Sequence, residues 1–323
     1  MFAWRSLAAL TVGYVDAPLW IDLEGGDNAR DVGGLPTLDG RQTQPGRLLR
    51  SDSLQELTDA DVRHLVGDLR VRAVADLRTD KEVREDGPGP LARESCVRLE
   101  HLSLYPEAGV STDLMAADAF ALGLQADNKS GAPVLLPWQE RDAATVGGDD
   151  EEERRRGATG VYLRYLDDRS DSIIAALRLI AYTDGATIVH CAAGKDRTGI
   201  VVAIALREVG VTPEAIVADY ARSADRVDAV QTRLSKRPAY AEELAGSDPA
   251  RHKPRAATME KVLAAIDEIH GGAGTWLRAN GWTDRDAAAL RHKLLDIQPV
   301  PIPVITFRAA RCRTSTRAEE NCR

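Results

Sequence analysis

Apolar residues along the chain fall into two patterns, short unbroken runs and helical spacings. Gly46–Ser51 (GRLLRS), the Val- and Ala-rich Val71–Leu77 and Val97–Leu104 read as strands, the second of them buried. Between the first two, Leu57, Val62, Leu65, Val66 and Leu69 share one face of a helix that Thr58 and Asp61 open as a capping box. After Thr159 the spacing is helical again, through Ile173, Ile174, Leu177, Ile180 and Ala181. Asp184-Gly185 then makes a turn, and Thr187-Ile188-Val189 reads as a short buried strand. Gly199–Leu206 (GIVVAIAL) is apolar nearly all round, which predicts a buried helix. Pro213 opens a helix to about Ser223. Met259, Val262, Leu263, Ile266 and Ile269 mark another, stopped by Gly271, and Thr283 with Asp286 caps a last one before Leu290 and Leu294.

Strands alternating with helices predict an α/β fold with a central, mostly parallel sheet flanked by helices. Residues 105–158 break the rhythm with Pro106, Pro133, Pro137, several glycines and the charge run DDEEERRR. An irregular stretch of that length is expected as a lid-like elaboration near a pocket mouth, the alternative being a solvated excursion. The expected organisation is a lead-in over 1–19 and one main domain over 20–296. That domain contains the insert and a helical region from about 256, and a polar tail follows over 297–323. The opening MFAWRSLAALTVGYV has a thin basic region and no A-x-A site, so it reads as a lead-in rather than a signal peptide.

Composition narrows the function classes. The 323 residues are 44% hydrophobic and 28% charged, as in a globular protein. The net charge of −8 disfavours a nucleic-acid binder with a basic face. Four cysteines (Cys96, Cys191, Cys312, Cys322) are too few for a disulfide scaffold and form no CxxC pair, so neither that scaffold nor a zinc knuckle is expected. Cys96 reads as a core thiol. The cysteine usage fits a reducing compartment and hence the cytoplasm. No apolar run approaches the roughly 18 residues of a membrane span.

The chemistry is concentrated in His190–Gly199, HCAAGKDRTG, between a predicted strand and a predicted helix. Such a junction gathers backbone N–H groups and a helix N-terminus around a small concavity that favours an anion. Gly194 and Gly199 allow the backbone to turn tightly. Cys191 is the candidate nucleophile, and helix terminus and cations are expected to favour its thiolate. Arg197 is placed to grip phosphate oxygens bidentately, and the Thr198 hydroxyl to support the sulfur as it leaves. Ala192, Ala193, Gly194, Lys195, Asp196, Arg197 and Thr198 form the expected phosphate cradle. The departing oxygen needs a general acid. No W-P-D triplet exists, so Asp196 is the first candidate, its alternative being a carboxylate that pairs with Arg197 or caps the helix. Asp76, Asp113 and Asp118 are rivals. Lys195 is a second cation or a solvated edge residue. His190, Asp76 and Arg78 stand where strands end and could face the pocket. Neither a metal nor a cofactor is expected: the chain lacks HExxH and an EF-hand loop, and Gly194-Lys195 is followed by Asp196 rather than the Ser or Thr of a nucleotide-binding loop.

The C-x5-R-T loop resembles the signature of cysteine-dependent phosphatases. With it come NARDVGG (28–34), GRLLRSD (46–52), DLRTDKE (76–82) and Asp219-Tyr220, in the order found in the bacterial tyrosine-phosphatase family of broad specificity. The resemblance spans about residues 20–296. It implies a protein-tyrosine-phosphatase-like fold, a phosphocysteine intermediate, phosphate as product, and phosphoprotein or phosphoinositide substrates. It also links Lys195 to phosphoinositide recognition. The KDR order is similar to that of lipid-directed phosphatases, the myotubularins among them, in which the loop aspartate is placed as acid. Arg30, Asp31, Arg50 and Asp52 recur in these motifs, but the sequence gives them no chemical role; Arg164 is equally undecided. The competing readings are an inactive phosphate-binding module and another thiolate enzyme, such as a sulfurtransferase or arsenate reductase.

Overall fold

The computed structural model describes residues 19–105, 158–244 and 252–295. Six strands form one sheet: β1 (Leu19–Trp20), β2 (Arg30–Asp31), β3 (Leu48–Ser51), β4 (Val71–Asp76), β5 (Arg98–His101) and β6 (Ala186–His190), in the order β1-β2-β3-β6-β4-β5. β3, β6, β4 and β5 run parallel, and β1 and β2 add an antiparallel edge. The register sets Ser51 and Asp76 on either side of His190, so three strands end together on one rim.

Alternation along β4 divides the core. Ala73 and Ala75 point to one face and Val74 to the other. The thin face packs against α1 (Asp59–Arg63), a π-helical turn over His64–Asp68 and the segment around Leu91. The thick face carries α3 (Ala158–Asp168), α4 (Ser170–Tyr182), α5 (Asp196–Glu208), α6 (Pro213–Arg222), α9 (Ala256–His270), α10 (Ala273–Ala279) and α11 (Asp284–Leu294). Between these groups lie α2 (Asp80–Asp86), α7 (Val227–Leu234) and α8 (Pro238–Leu244). Val230, Leu234 and Tyr240 of α7 and α8 pack directly on Ala192.

The sequence signals act locally. The Thr58–Asp61 and Thr283–Asp286 boxes both form, and Gly271 ends α9 in the left-handed region at φ 70°. Three expectations need correction. The helix after Thr58 leaves the α form at Arg63, because the next turn closes wide, with Leu69 N donating to His64 O at 3.0 Å. The buried helix begins at Asp196 rather than Gly199, since Gly199 N already donates to Lys195 O at 2.8 Å. Cys96 is exposed rather than a core thiol, because it lies just before β5, a half-exposed strand at the sheet edge. Cys312, Cys322, Asp113, Asp118, the lead-in, the tail and nearly all of the insert lie outside the described residues.

Candidate active site

The loop Cys191–Lys195 leaves β6 at the rim and turns into α5. Four consecutive carbonyls of this loop are held, three from outside and the last by α5 itself. Ala192 O accepts from Ser53 N at 2.9 Å, and Ala193 O from Asn28 Nδ2 at 2.9 Å. Gly194 O accepts from Arg50 Nη2 at 2.8 Å, and Lys195 O from Gly199 N at 2.8 Å. No described peptide is cis. In a trans peptide the N–H points opposite to the carbonyl. The amides of residues 193 to 196 therefore point away from the outer ring, into the concavity at the start of α5. Inward amides with a helix N-terminus behind them have the geometry that favours an anion.

Gly194 is required where it stands. Its φ is 68°, and a Cβ there would lie 2.4 Å from Ser51 O and 2.5 Å from Asp52 N, both backbone atoms. The residues that hold the ring are themselves fixed by Asp219. Its carboxylate accepts from Arg30 Nε at 2.8 Å and Arg50 Nη1 at 2.5 Å, while Arg30 Nη1 donates to Asn28 Oδ1 at 2.6 Å. Burial alone would raise the Asp219 carboxyl, but the two arginines hold it at about 2. Burial, and then the neighbouring charge of Arg50, lower Arg30 to about 10. Asn28, Arg30 and Arg50, given no chemical role by the sequence, thus shape the cradle without facing it.

Cys191 is 2% exposed, and Arg197 stands on the first turn of α5. Arg197 donates through Nη1 and Nη2 to Glu82 at 2.6 and 2.9 Å, and through Nη1 to Leu77 O at 3.3 Å. Neither partner uses the Nε–Nη2 side edge, which can take two phosphate oxygens. Burial opposes the charge of Arg197, yet Glu82 and then Cys191 hold its pKa well above the ordinary range. Burial would likewise raise Glu82, but Arg197 and the Thr79 amide hold it at about 2. The Arg197 guanidinium also lies 5.7 Å from the centre of the Tyr105 ring.

Asp196 neither pairs with Arg197 nor caps the helix, both of which the sequence left open. Its Oδ1 accepts from the Tyr162 hydroxyl, and its Oδ2 lies 3.3 Å from Lys195 Nζ. Tyr162 also meets Tyr220 at 2.9 Å between hydroxyls. Lys195 is buried rather than solvated, and its Nζ donates to His252 O at 2.7 Å. Thr198 Oγ1 is buried and has no hydrogen-bond partner among the described residues.

The remaining pocket candidates are tied to one another by hydrogen bonds and ion pairs. Asp76 and Arg78 pair side-on, with Arg78 Nε and Nη2 donating at 2.9 and 2.6 Å. Burial opposes ionisation of Asp76, but His190 and Arg78 hold it at about 2. His190 Nε2 lies 3.5 Å from Asp76, and burial pushes the imidazole below its ordinary range. Arg164 is half-buried on α3 beside Asp168 and the Tyr165 and Tyr105 hydroxyls.

The site residues that sequence reasoning missed are Glu82, Tyr162, Tyr220 and Tyr105. Glu82 had a local signal, the T-x-x-E box with Thr79, which forms at the start of α2. Tyr220 had one in the Asp219-Tyr220 pair, whereas Tyr162 and Tyr105 had none. Among the described residues, no group of His, Cys, Asp and Glu is gathered to hold a metal ion, and no helix is long and apolar enough to cross a membrane.

Comparison with known proteins shows the family. A sequence model of the tyrosine phosphatase family matches residues 21–296. The triple specificity protein phosphatase PtpB of Mycobacterium tuberculosis is 34% identical over 290 residues, covering 85% of this chain and 98% of that protein. A tyrosine-protein phosphatase of Nostoc commune is 34% identical over 125 residues, covering 36% of this chain and 42% of that one.

Proposed function

The chain belongs to the tyrosine phosphatase family and is a cysteine-dependent phosphatase of phosphorylated substrates; from that premise we propose which residues do the work and on what. The observation that carries the reading is the run of three carbonyls held from outside, continued by the first turn of α5, which turns the amides of the Cys191 loop toward the concavity. The phosphoryl group sits in this nest, with two of its oxygens on the Nε–Nη2 edge of Arg197. Amides and guanidinium stabilise the equatorial oxygens as charge spreads over them.

Cys191 attacks as thiolate. The S–P bond forms, the P–O bond breaks with its electron pair going to the leaving oxygen, and Asp196 protonates that oxygen. Water then attacks phosphorus, giving its proton to Asp196, and the S–P bond breaks to return the thiolate. The Thr198 hydroxyl, buried and unpartnered, donates to that sulfur. Such chemistry needs Cys191 as a free thiol, so the proposed working compartment is a reducing one, the cytoplasm.

The preferred substrate is phosphotyrosine. The sulfur is 2% exposed with Tyr105 beside Arg197, so a long flat side chain reaches it where a short one does not. Phosphoserine, phosphothreonine and phosphoinositide are the second reading, favoured by the added cation Lys195 and by the triple specificity of PtpB. Cys191→Ser should abolish phosphate release from p-nitrophenyl phosphate; unchanged release overturns the assignment of the nucleophile. One panel at fixed pH, with phosphopeptides beside phosphoinositides, separates the two substrate readings by kcat/KM.

A further inference from the structure

We propose that Tyr162 is a positioning residue for the general acid, and that its hydroxyl decides which oxygen of Asp196 carries the transferable proton. This rests on the reading of Asp196 as acid. Three observations meet at this carboxylate. The Tyr162 hydroxyl donates to Oδ1. The Tyr220 hydroxyl lies 2.9 Å from the same Tyr162 oxygen. Lys195 Nζ lies 3.3 Å from Oδ2.

A hydroxyl has one proton to give. Once Tyr162 gives its proton to Asp196, the contact with Tyr220 must run the other way, so the chain is ordered Tyr220 to Tyr162 to Asp196. Oδ1 is then an acceptor and the acid proton is on Oδ2. When the P–O bond breaks, that proton moves from Oδ2 to the leaving oxygen. The carboxylate left behind is already met on both sides, by Tyr162 at Oδ1 and by the Lys195 ammonium at Oδ2. Burial, Asp196 and Tyr220 all raise the Tyr162 hydroxyl well above its ordinary range, so it stays a donor throughout.

Other groups around Asp196 do not compete for this role. The second tyrosine of α3 is Tyr165, which bonds Tyr105 at 3.1 Å. From the sheet side Arg50 reaches only the carbonyls of Gly194 and Lys195 among the loop atoms. Arg197, on the same helix as Asp196, is turned to Glu82. Tyr162, Tyr220 and Lys195 are thus the polar groups that hold the acid.

The test compares Tyr162→Phe with Asp196→Asn on p-nitrophenyl phosphate, a good leaving group, and on an alkyl phosphate, a poor one. Tyr162→Phe should lower kcat on the alkyl ester about 10-fold, with KM little changed and a much smaller loss on the aryl ester. A hydrogen bond to the carboxylate favours the anion, so its removal should move the high-pH limb of kcat upward. An equal loss on both esters with the limb unmoved overturns the proposal and leaves Tyr162 a packing residue. If Asp196→Asn itself loses equally on both esters, the acid reading falls and this proposal with it. A leaving-group-dependent Asp196→Asn beside a silent Tyr162→Phe overturns the proposal alone. Should Tyr162→Phe fail to fold, Tyr220→Phe keeps the Tyr162 donor but loses the hydroxyl that orients it. A smaller shift in the same direction is expected there, and none overturns the ordered chain.

Discussion

Glu82 holds Arg197 end-on, through two hydrogen bonds of 2.6 and 2.9 Å, across 115 residues of sequence. An arginine gripped on one edge can present only its other edge, so this carboxylate aims the phosphate clamp. Glu82→Gln keeps the size but loses the charge and one acceptor. It should lower kcat/KM on p-nitrophenyl phosphate about 100-fold, since a misaimed clamp costs that much. Weaker inhibition by inorganic phosphate should accompany the loss. Wild-type kinetics in this variant would show that the loop alone aims Arg197.

Gly194→Ala puts a Cβ 2.4 Å from the Ser51 carbonyl oxygen, on the end of β3. The strand cannot retreat without disturbing its pairing with β6, so the loop must move instead. Activity should fall at least about 100-fold while far-ultraviolet circular dichroism stays native. Full activity would mean that the nest tolerates a shifted loop.

Asp219→Asn removes the charge that compensates Arg30 and Arg50, both about 1% exposed. Breaking a buried pair at one partner costs about 3–5 kcal/mol. The denaturant midpoint should drop accordingly, and kcat/KM with it, because Arg50 loses its fixed position on the Gly194 carbonyl. Asn28→Ala removes the donor to Ala193 O and the acceptor of Arg30 Nη1 but leaves the Asp219 charge in place, and should cost about 1–3 kcal/mol. Equal midpoints for both variants would refute this ordering.

Stability should fall on acidification, in two stages. His190 is held below 6.5 in the fold, so the unfolded chain binds more protons first, and stability starts to drop below that value. Asp76, Glu82 and Asp219 are held at about 2, against 3.8 and 4.5 when unperturbed. Their contribution is complete above about 4.5 and is lost as pH falls toward about 2. Urea midpoints measured between pH 7 and pH 3 check this; a midpoint that rises as the pH falls contradicts it.

Much of the fold was legible because its signals are short-range. The boxes at Thr58 and Thr283, the glycine after His270 and the apolar run after Thr198 each act within a few residues. The nucleophile and arginine were legible for the same reason, sharing one loop. What holds them was not. Glu82 was readable as a cap, but nothing near it shows that the same carboxylate grips Arg197. Asn28, Arg50 and Asp219 act on the loop from far away in sequence, and Tyr162 reaches Asp196 across 34 residues with no motif of its own. Cys96 misled because an apolar residue beside a strand reads as core, although that strand is at the edge.

The outward-held carbonyls also set an order in time. A growing chain makes Cys191 before Asp219, and Asp219 is what steadies Arg50 on the loop 144 residues further along the chain. A nascent chain ending between Gly199 and Asp219 has the whole HCAAGKDRTG motif and still lacks the clasp that shapes its anion nest. The enzyme is therefore armed by completion of the fold rather than by synthesis of the motif. A truncated chain carries a thiol without the tool to use it.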